Sequence, residues 1–210
     1  MEVENPPTVK YQTPLRLAHR DLTRSRIRNA ARDLFYEHHY DSTTMDEIAV
    51  AAGLRRQTLY LHYKDKAEIL NDIIAEWTPR AKGFMATLPG PKPGYLQLRQ
   101  WVQEVTQFVT RERAPLSIIL EVRQTSKTHT AMIERLTAEL LAGLGEHNPP
   151  FRATAGSSST PLQQARALLL LRELIYACDL YLDDPGRSYA EALLDATAED
   201  FCAFLAQDMA

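Results

Sequence analysis

The chain has 210 residues, enough for one large or two small domains, and its 45% content of hydrophobic residues is ordinary for a globular core. The net charge of −3 conceals an asymmetry, because residues 10–66 carry 11 basic against 7 acidic side chains, whereas residues 67–210 carry 13 against 18. A modestly basic N-terminal part beside an acidic remainder suits a DNA-binding domain followed by a region that does not touch DNA.

Other classes of protein are disfavoured by what the sequence lacks. Cys178 and Cys202 form no CxxC motif, so we expect buried, reduced thiols in a cytoplasmic protein, with a redox switch as the alternative. Neither a run of 18 apolar residues nor a signal-peptide pattern occurs, so no membrane segment is expected. GxSxG, HExxH, P-loop and GxGxxG motifs are missing, and adjacent His38 and His39 would point about 100° apart on a helix. We therefore expect no catalytic residue, no metal site and no cofactor.

Residues 1–20 are predicted to form a flexible arm. They contain three prolines and few large apolar groups, which favours an extended or disordered segment. Lys10, Arg16 and Arg20 would allow this arm to enter a DNA minor groove, although a solvated tail is the alternative. Apolar residues at helical spacing then predict a first helix over residues 23–38.

Residues 43–70 predict two short helices joined by a tight turn and followed by a third helix. Thr44 and Glu47 have the spacing of a capping box, which starts the first of these helices. Gly53 stands where a helix end favours a residue that tolerates positive φ. The second helix is expected over residues 55–63. This order of elements is a helix-turn-helix, whose second helix enters the major groove of DNA.

One face of the second helix has the side chains that DNA recognition needs. Leu59 is expected to point into the core, leaving the neighbouring polar residues outside. Arginine suits guanine or phosphate, and glutamine suits adenine. Asp65 is expected to cap the following helix, and Lys66 in its first turn to meet a phosphate. The predicted DNA-binding residues are Thr44, Arg55, Arg56, Gln57, Thr58, Tyr60, His62 and Lys66.

The same segment resembles the DNA-binding domain of the tetracycline-repressor (TetR) family of bacterial transcription regulators. The resemblance covers about residues 22–70 and rests on Leu34-Phe35, Thr44, Ile48-Ala49, Ala52-Gly53, Thr58-Leu59-Tyr60, His62-Tyr63, Lys66 and Leu70. Three residues depart from the usual pattern. His39 stands where the family often has Gly, Arg55 where a Ser commonly caps the recognition helix, and Gln57 where Gly or Ala is usual. These departures favour a base preference of this protein's own.

The remainder is predicted to be helical throughout. Helices are expected over residues 66–87, 95–111, 115–126, 128–145, 161–183 and 188–208. Pro79 lies inside the first of these and is expected to kink it. Residues 88–94 are a loop rich in proline and glycine, and residues 147–160 are expected to be mobile. The fold class is therefore all-α, with a flexible arm (1–20), a three-helix helix-turn-helix domain (21–66) and a helical ligand-binding and dimerisation domain (67–210).

The last two helices predict a homodimer. Residues 161–183 are apolar almost all round, too wide a surface for a helix with one buried face. A core on one side and a second subunit on the other would cover both faces, and the resemblance implies the same arrangement. A deeply buried helix in a monomer is the alternative. Two DNA-binding domains in a dimer would meet the half-sites of a near-palindromic operator on double-stranded DNA.

The resemblance also implies a small-molecule effector, held among the later helices, whose binding releases the DNA. Candidate ligand-binding residues are the aromatic side chains Trp77, Phe84, Trp101 and Phe108 and the polar side chains Arg123, His129 and Tyr176. An apolar or aromatic ligand with one polar group would suit them. Three hypotheses remain: a ligand-released repressor, a ligand-independent architectural or cell-cycle factor, and a ligand-binding protein that no longer binds DNA.

Overall fold

The computed structural model describes residues 14–125, 127–152, 160–184, 186 and 188–206, without the side chains of residues 124, 125 and 127. Every regular element of this described part is helical, as predicted. The chain forms two compact units, one up to Leu70 and the other from Asn71.

The N-terminal unit is built from three helices and the start of a fourth: α1 (Pro14–His38), α2 (Met45–Ala51), α3 (Arg56–Tyr60) and α4 (Lys66–Met85). Its core contains the fully buried side chains of Ile27, Phe35, Ile48, Leu59 and Tyr63. Ile27 and Phe35 lie on α1, Ile48 on α2 and Leu59 on α3. The two short helices therefore gain stability from packing rather than from their length.

Helix α1 begins earlier than the sequence indicated. It starts at Pro14, whereas Thr23 was expected as its first residue, so the predicted arm is helical over residues 14–20. Proline lacks the N–H that would be unsatisfied at this position and has the required φ, so it starts a helix readily. Residues 1–13 of the predicted arm lie outside the described residues.

The local signals around α2 are confirmed. The Thr44 hydroxyl accepts a hydrogen bond from the Glu47 backbone N–H at 3.3 Å, and the Glu47 carboxylate accepts one from the Thr44 backbone N–H at 2.8 Å. Gly53 has φ of +64°, as its place after α2 requires. Helix α3, however, ends at Tyr60 and not at Tyr63, because residues 61 and 62 form a turn.

The C-terminal unit is an arrangement of helices that matches the predicted order. After α4 come α5 (Tyr95–Arg111), α6 (Arg113–Thr125), a single 3-10 turn (Lys127–His129), α7 (Thr130–Leu144), α8 (Pro149–Arg152), α9 (Pro161–Asp183) and α10 (Ala190–Leu205). Helix α10 packs along both α5 and α9. Arg99 on α5 ties this packing by ion pairs to Glu191 and Asp195 on α10. Pro79 lies inside α4, as expected.

Helix α8 was missed in the sequence, which indicated a mobile segment over residues 147–160. Phe151 is fully buried and its ring lies 4.8 Å from that of Phe204 and 5.8 Å from that of Phe201. The buried Asn148 side chain donates to the carbonyl of Leu88 at 3.3 Å. One aromatic anchor therefore orders a segment rich in proline and glycine, and residues 153–159 lie outside the described residues.

Helix α9 has two apolar faces, as predicted. Thr160 caps it, and one face buries Leu170, Leu171 and Leu174. The opposite face leaves large apolar side chains exposed at spacings of seven: Leu162 (60%), Leu169 (63%) and Tyr176 (61%). Leu162, Leu169 and Tyr176 are called the α9 stripe below.

Among the described helices, none is both long and apolar enough to cross a membrane. Both cysteines are free thiols, with Cys178 buried and Cys202 half-buried. Burial, together with the nearby Asp179 carboxylate, raises the pKa of the Cys178 thiol to about 12. This thiol therefore stays protonated and unreactive near neutral pH.

Candidate nucleic-acid interface and ligand site

Helix α3 presents a continuous polar face to solvent. Six of the predicted contact residues lie on it or beside it: Arg55, Arg56, Gln57, Thr58, Tyr60 and His62. The first three and Tyr60 are exposed, whereas Thr58 and His62 are half-buried. Leu59 is fully buried on the opposite side, as expected. The fold thus brings the predicted side chains together along one short helix that can enter a groove.

Two arginines of α1 hold this helix-turn-helix in place. The Arg26 guanidinium donates to the carbonyl of Ala52 at 2.7 Å, in the turn after α2. Arg24 donates to the carbonyl of His62 at 3.2 Å, and its guanidinium lies 4.2 Å from the centre of the Tyr63 ring. The charge count alone would assign such arginines to DNA, but the contacts place these two inside the domain.

Arg56 is paired with an acidic residue on the neighbouring helix. Its guanidinium lies 2.6 Å from the Asp46 carboxylate and 5.5 Å from the centre of the Tyr60 ring. Both partners of the ion pair are exposed, and such pairs contribute only about 0–1 kcal/mol. The side chain can therefore exchange this partner for a base or a phosphate at little cost.

Lys66 is more deeply engaged than the sequence indicated. Its ammonium donates to the carbonyls of Tyr40, Asp41 and Thr43 at 2.7, 3.0 and 3.2 Å, and it lies 4.6 Å from the centre of the Tyr40 ring. A lysine has three N–H donors, so all of them are used in fastening the start of α4 to the loop between α1 and α2.

Thr44 lies at the start of α2, and His62 lies in the turn after α3. The Thr44 hydroxyl is committed to the capping box, although the residue is exposed. Hydrogen bonds from Thr44 lower the pKa of Glu47, which keeps this box ionised. His62 has a buried Nδ1 with no hydrogen-bond partner. Burial, with smaller effects of Arg20 and Arg24, lowers the pKa of His62 below its usual range.

One exposed apolar residue beside α3 was missed. Leu61 directly follows the helix and is 82% exposed. The signal was present in the sequence, because Leu61 stands about 200° round the helix from the inward-facing Leu59. An apolar side chain at this place suits the methyl group of thymine.

The C-terminal unit contains a small cavity of about 30 Å³ with an apolar wall. Twelve side chains line it: Trp77, Ala81, Met85, Val105, Phe108, Val109, Leu116, Leu140, Leu171, Leu174, Ile175 and Cys178. Trp77 and Phe108 were predicted as ligand-binding residues, and their ring centres lie 6.4 Å apart. The Trp77 indole N–H is buried and has no hydrogen-bond partner.

The other predicted ligand-binding residues are dispersed. Phe84 stacks on Phe108 at 4.6 Å but does not line the cavity. Trp101 lies in a separate cluster, where its ring is 5.5 Å from that of Phe201 and its N–H donates to the Thr87 hydroxyl at 3.2 Å. The remaining three are polar and lie outside the cavity lining: His129 is buried, Tyr176 is exposed on the α9 stripe, and Arg123 lines an open groove. Aromatic character alone could not distinguish these packing environments.

Residues 27–73 match the family model described as bacterial regulatory proteins of the tetR family. This range covers the buried core of the N-terminal unit and all of α2 and α3. Residues 27–73 therefore form a domain of the TetR family.

Two curated TetR-family relatives share this region. The chain is 32% identical over 94 residues to the HTH-type transcriptional repressor BepR of Brucella suis, covering 43% of this chain and 45% of BepR. It is 41% identical over 51 residues to the HTH-type transcriptional regulator AcrR of Shigella flexneri, covering 24% of each chain. The matched region therefore spans less than half of either relative.

The TetR-like fold extends beyond this region. A transcriptional regulator FadR from Bacillus subtilis, solved in complex with stearoyl-CoA, superposes with a TM-score of 0.60 over 83% of this chain and 95% of its own. The two sequences are only 16% identical, so this likeness concerns the fold.

The three departures from the usual TetR pattern have physical consequences here. His39 adopts φ of +69°, a conformation that costs a side chain with a Cβ about 1–2 kcal/mol and that glycine adopts freely. Arg55 occupies the N-cap position of α3 and makes no side-chain cap bond. Gln57 is exposed on α3.

Proposed function

We propose that this chain is a sequence-specific DNA-binding transcription repressor that a small apolar or aromatic ligand releases from its operator. In this proposal residues 21–66 bind DNA, and residues 67–210 hold the ligand and form the homodimer. The observation that carries it is the exposed face of α3, formed by Arg55, Arg56, Gln57 and Tyr60 on a helix-turn-helix that α1 braces. No enzymatic activity forms part of the proposal.

The roles at the DNA follow from exposure and from the partners already made. Arg56, Gln57 and Thr58 contact base edges, because they begin the helix that enters the major groove. Tyr60 and His62 lie farther along and contact the backbone, while Leu61 packs against a thymine methyl group. Arg55 completes the phosphate contacts at the N-terminal end of α3, where backbone N–H groups also favour an anion. Thr44 supports the interface by holding the start of α2 through its capping box.

The dimer is formed through α9 and α10. The α9 stripe places three large apolar side chains in contact with water, and burying one such side chain stabilises an assembly by about 1.5–3 kcal/mol. The exposed face of α10 carries the small residues Ala192, Ala196 and Ala203, which allow a second helix to approach closely. A second copy of the chain would cover both helices and place two α3 helices on successive half-sites.

The ligand enters the apolar cavity behind Trp77 and opens it. Its present volume of about 30 Å³ holds no more than a water molecule, whereas ligand pockets measure about 300–1,000 Å³. The lining contains only apolar side chains apart from the protonated Cys178 thiol, so an apolar molecule is favoured. An acceptor atom on such a ligand would satisfy the orphan Trp77 indole N–H. The stearoyl-CoA complex of FadR, a protein of the same fold, supports a ligand in this domain.

The small volume of this cavity also favours one alternative, a ligand-independent architectural or cell-cycle factor. Both hypotheses require DNA binding, and they differ in whether a ligand weakens it. A single-tryptophan variant, Trp101→Phe, leaves Trp77 as the sole indole fluorophore on the cavity wall. Titration of apolar aromatic compounds should quench this fluorescence and weaken operator binding at the same concentrations. Quenching without loss of DNA affinity would favour the alternative.

The proposal is tested first by selecting duplexes from a random DNA pool with the purified protein. We expect enrichment of a near-palindrome whose half-sites lie about one helical turn apart, or a multiple of it. Weak binding that falls steeply with salt and enriches no sequence would overturn the repressor function and leave backbone contacts alone.

A further inference from the structure

The C-terminal unit contains a second, open concavity that is separate from the cavity behind Trp77. It measures about 490 Å³ and is formed by the end of α6, by α7 and by α9. No side chain lines both. Its apolar part includes Ile133, Leu141 and Leu168, and Arg123 and Arg172 also line it. This concavity is called the α7–α9 groove below.

The α7–α9 groove is cationic and its arginines have no internal partner. Within the described part of the chain, the side chains of Arg123 and Arg172 make neither an ion pair nor a hydrogen bond. Glu134 is the one acidic side chain among the residues that line the groove. Two guanidinium groups against one carboxylate leave a positive charge beside an apolar surface, in a domain whose overall charge is negative.

We propose that the α7–α9 groove binds an amphipathic carboxylate, at a site distinct from that of the effector. The planar guanidinium matches a carboxylate through two parallel N–H···O bonds. The apolar tail would lie on Ile133, Leu141 and Leu168, and the groove volume lies within the range of small-molecule sites. An aliphatic and an aromatic carboxylate share this chemistry.

The groove and the α9 stripe occupy different faces of α9. Successive residues of a helix are about 100° apart, so Leu168 and Arg172 lie about 100° and 60° from the middle of the stripe at Leu169. A second copy docked on the stripe therefore leaves the groove side of α9 facing α7. In a symmetric contact each arginine would also meet a patch of the same positive charge, which disfavours the groove as the dimer interface.

The test is calorimetric binding of octanoate and of its neutral counterpart 1-octanol to the full-length protein. We expect octanoate to bind at least about five times more tightly. Arg123→Gln and Arg172→Gln should each weaken octanoate binding about three- to fivefold, the size of an exposed ion pair, and leave 1-octanol unchanged. Glu134→Gln should strengthen octanoate binding. A second arm with 2-naphthoate assigns the tail, because the tighter of the two carboxylates identifies an aliphatic or an aromatic ligand.

Matched controls separate this site from its neighbours. Arg166→Gln removes an arginine of the same helix that does not line the groove, and it should leave octanoate binding intact. Trp77→Phe alters the effector cavity and should also leave it intact. The proposal is overturned if octanoate does not bind, if the groove arginine variants bind it as the wild type does, or if Trp77→Phe abolishes binding. Dissociation of the dimer in Arg123→Gln/Arg172→Gln would instead identify the groove as a subunit contact and would equally overturn it.

Discussion

The Lys66 ammonium illustrates how internal contacts decide what a side chain offers to DNA. Its three donors bind the carbonyls of Tyr40, Asp41 and Thr43, so Lys66→Met should lower the free energy of unfolding by about 1–2 kcal/mol, measured by urea denaturation. If Lys66→Met leaves stability unchanged and lowers the slope of DNA affinity against salt concentration by about one, Lys66 contacts a phosphate, as the sequence indicated.

Gln57→Ala changes an exposed position on α3. It should leave stability unchanged and relax the preference at one base pair.

His62 makes the N-terminal unit sensitive to acid. Burial holds the pKa of His62 below its value in the unfolded chain, so the unfolded state binds a proton first as the pH falls. The contribution of His62 to the free energy of unfolding is therefore fully present above its unfolded pKa of about 6.5. It is lost as the pH falls through the lower pKa of the folded state. His62→Asn keeps a polar side chain of similar size but does not titrate. We expect the wild type to lose more stability than this variant between pH 7 and pH 5 in parallel thermal melts, and parallel curves would contradict the assignment.

At the scale of the element, α3 lacks the side-chain cap that its length needs. It has five residues, and Arg55 at the N-cap accepts no hydrogen bond and adds a positive charge at the positive end of the helix dipole. Arg55→Ser should stabilise the protein by about 0.5–1 kcal/mol, while Arg55→Ala removes the charge without supplying a cap. The difference between the two in urea denaturation measures the cap. Equal stability of the Ser and Ala variants would show that the α3 end is satisfied otherwise.

The elements themselves were largely predictable from the sequence because their signals are local. The capping box at Thr44, the glycine after α2 and the apolar spacing of α9 each fix a helix end or face within a few residues. Contacts distant in sequence were not predictable. Phe151 orders α8 by packing on α10, and the internal partners of Lys66 lie 23 to 26 residues away.

The same difference between local signals and contacts distant in sequence applies to the candidate site. The exposed face of α3 follows from helical period, because Leu59 fixes which side is buried. The ligand-binding residues do not follow from helical period, because Trp77 and Trp101 look alike in sequence and differ only in the residues that neighbouring helices place beside them. The α7–α9 groove likewise needs three helices to be assembled before Arg123 and Arg172 face the same concavity.

At the scale of the whole molecule, the proposed dimer would make operator binding depend on the α9 stripe. Leu169 is exposed at its centre, so Leu169→Glu should leave the fold of the single chain intact but place two carboxylates of like charge in the dimer contact. We expect a monomer in sedimentation velocity, and operator binding reduced at least about tenfold because each α3 then binds one half-site alone. Leu96→Glu is the matched control, since Leu96 is 79% exposed and lies on α5, a helix that is not part of the proposed dimer contact. If Leu169→Glu and Tyr176→Glu both remain dimeric, the subunits associate through another surface, and the two apolar faces of α9 need a different explanation.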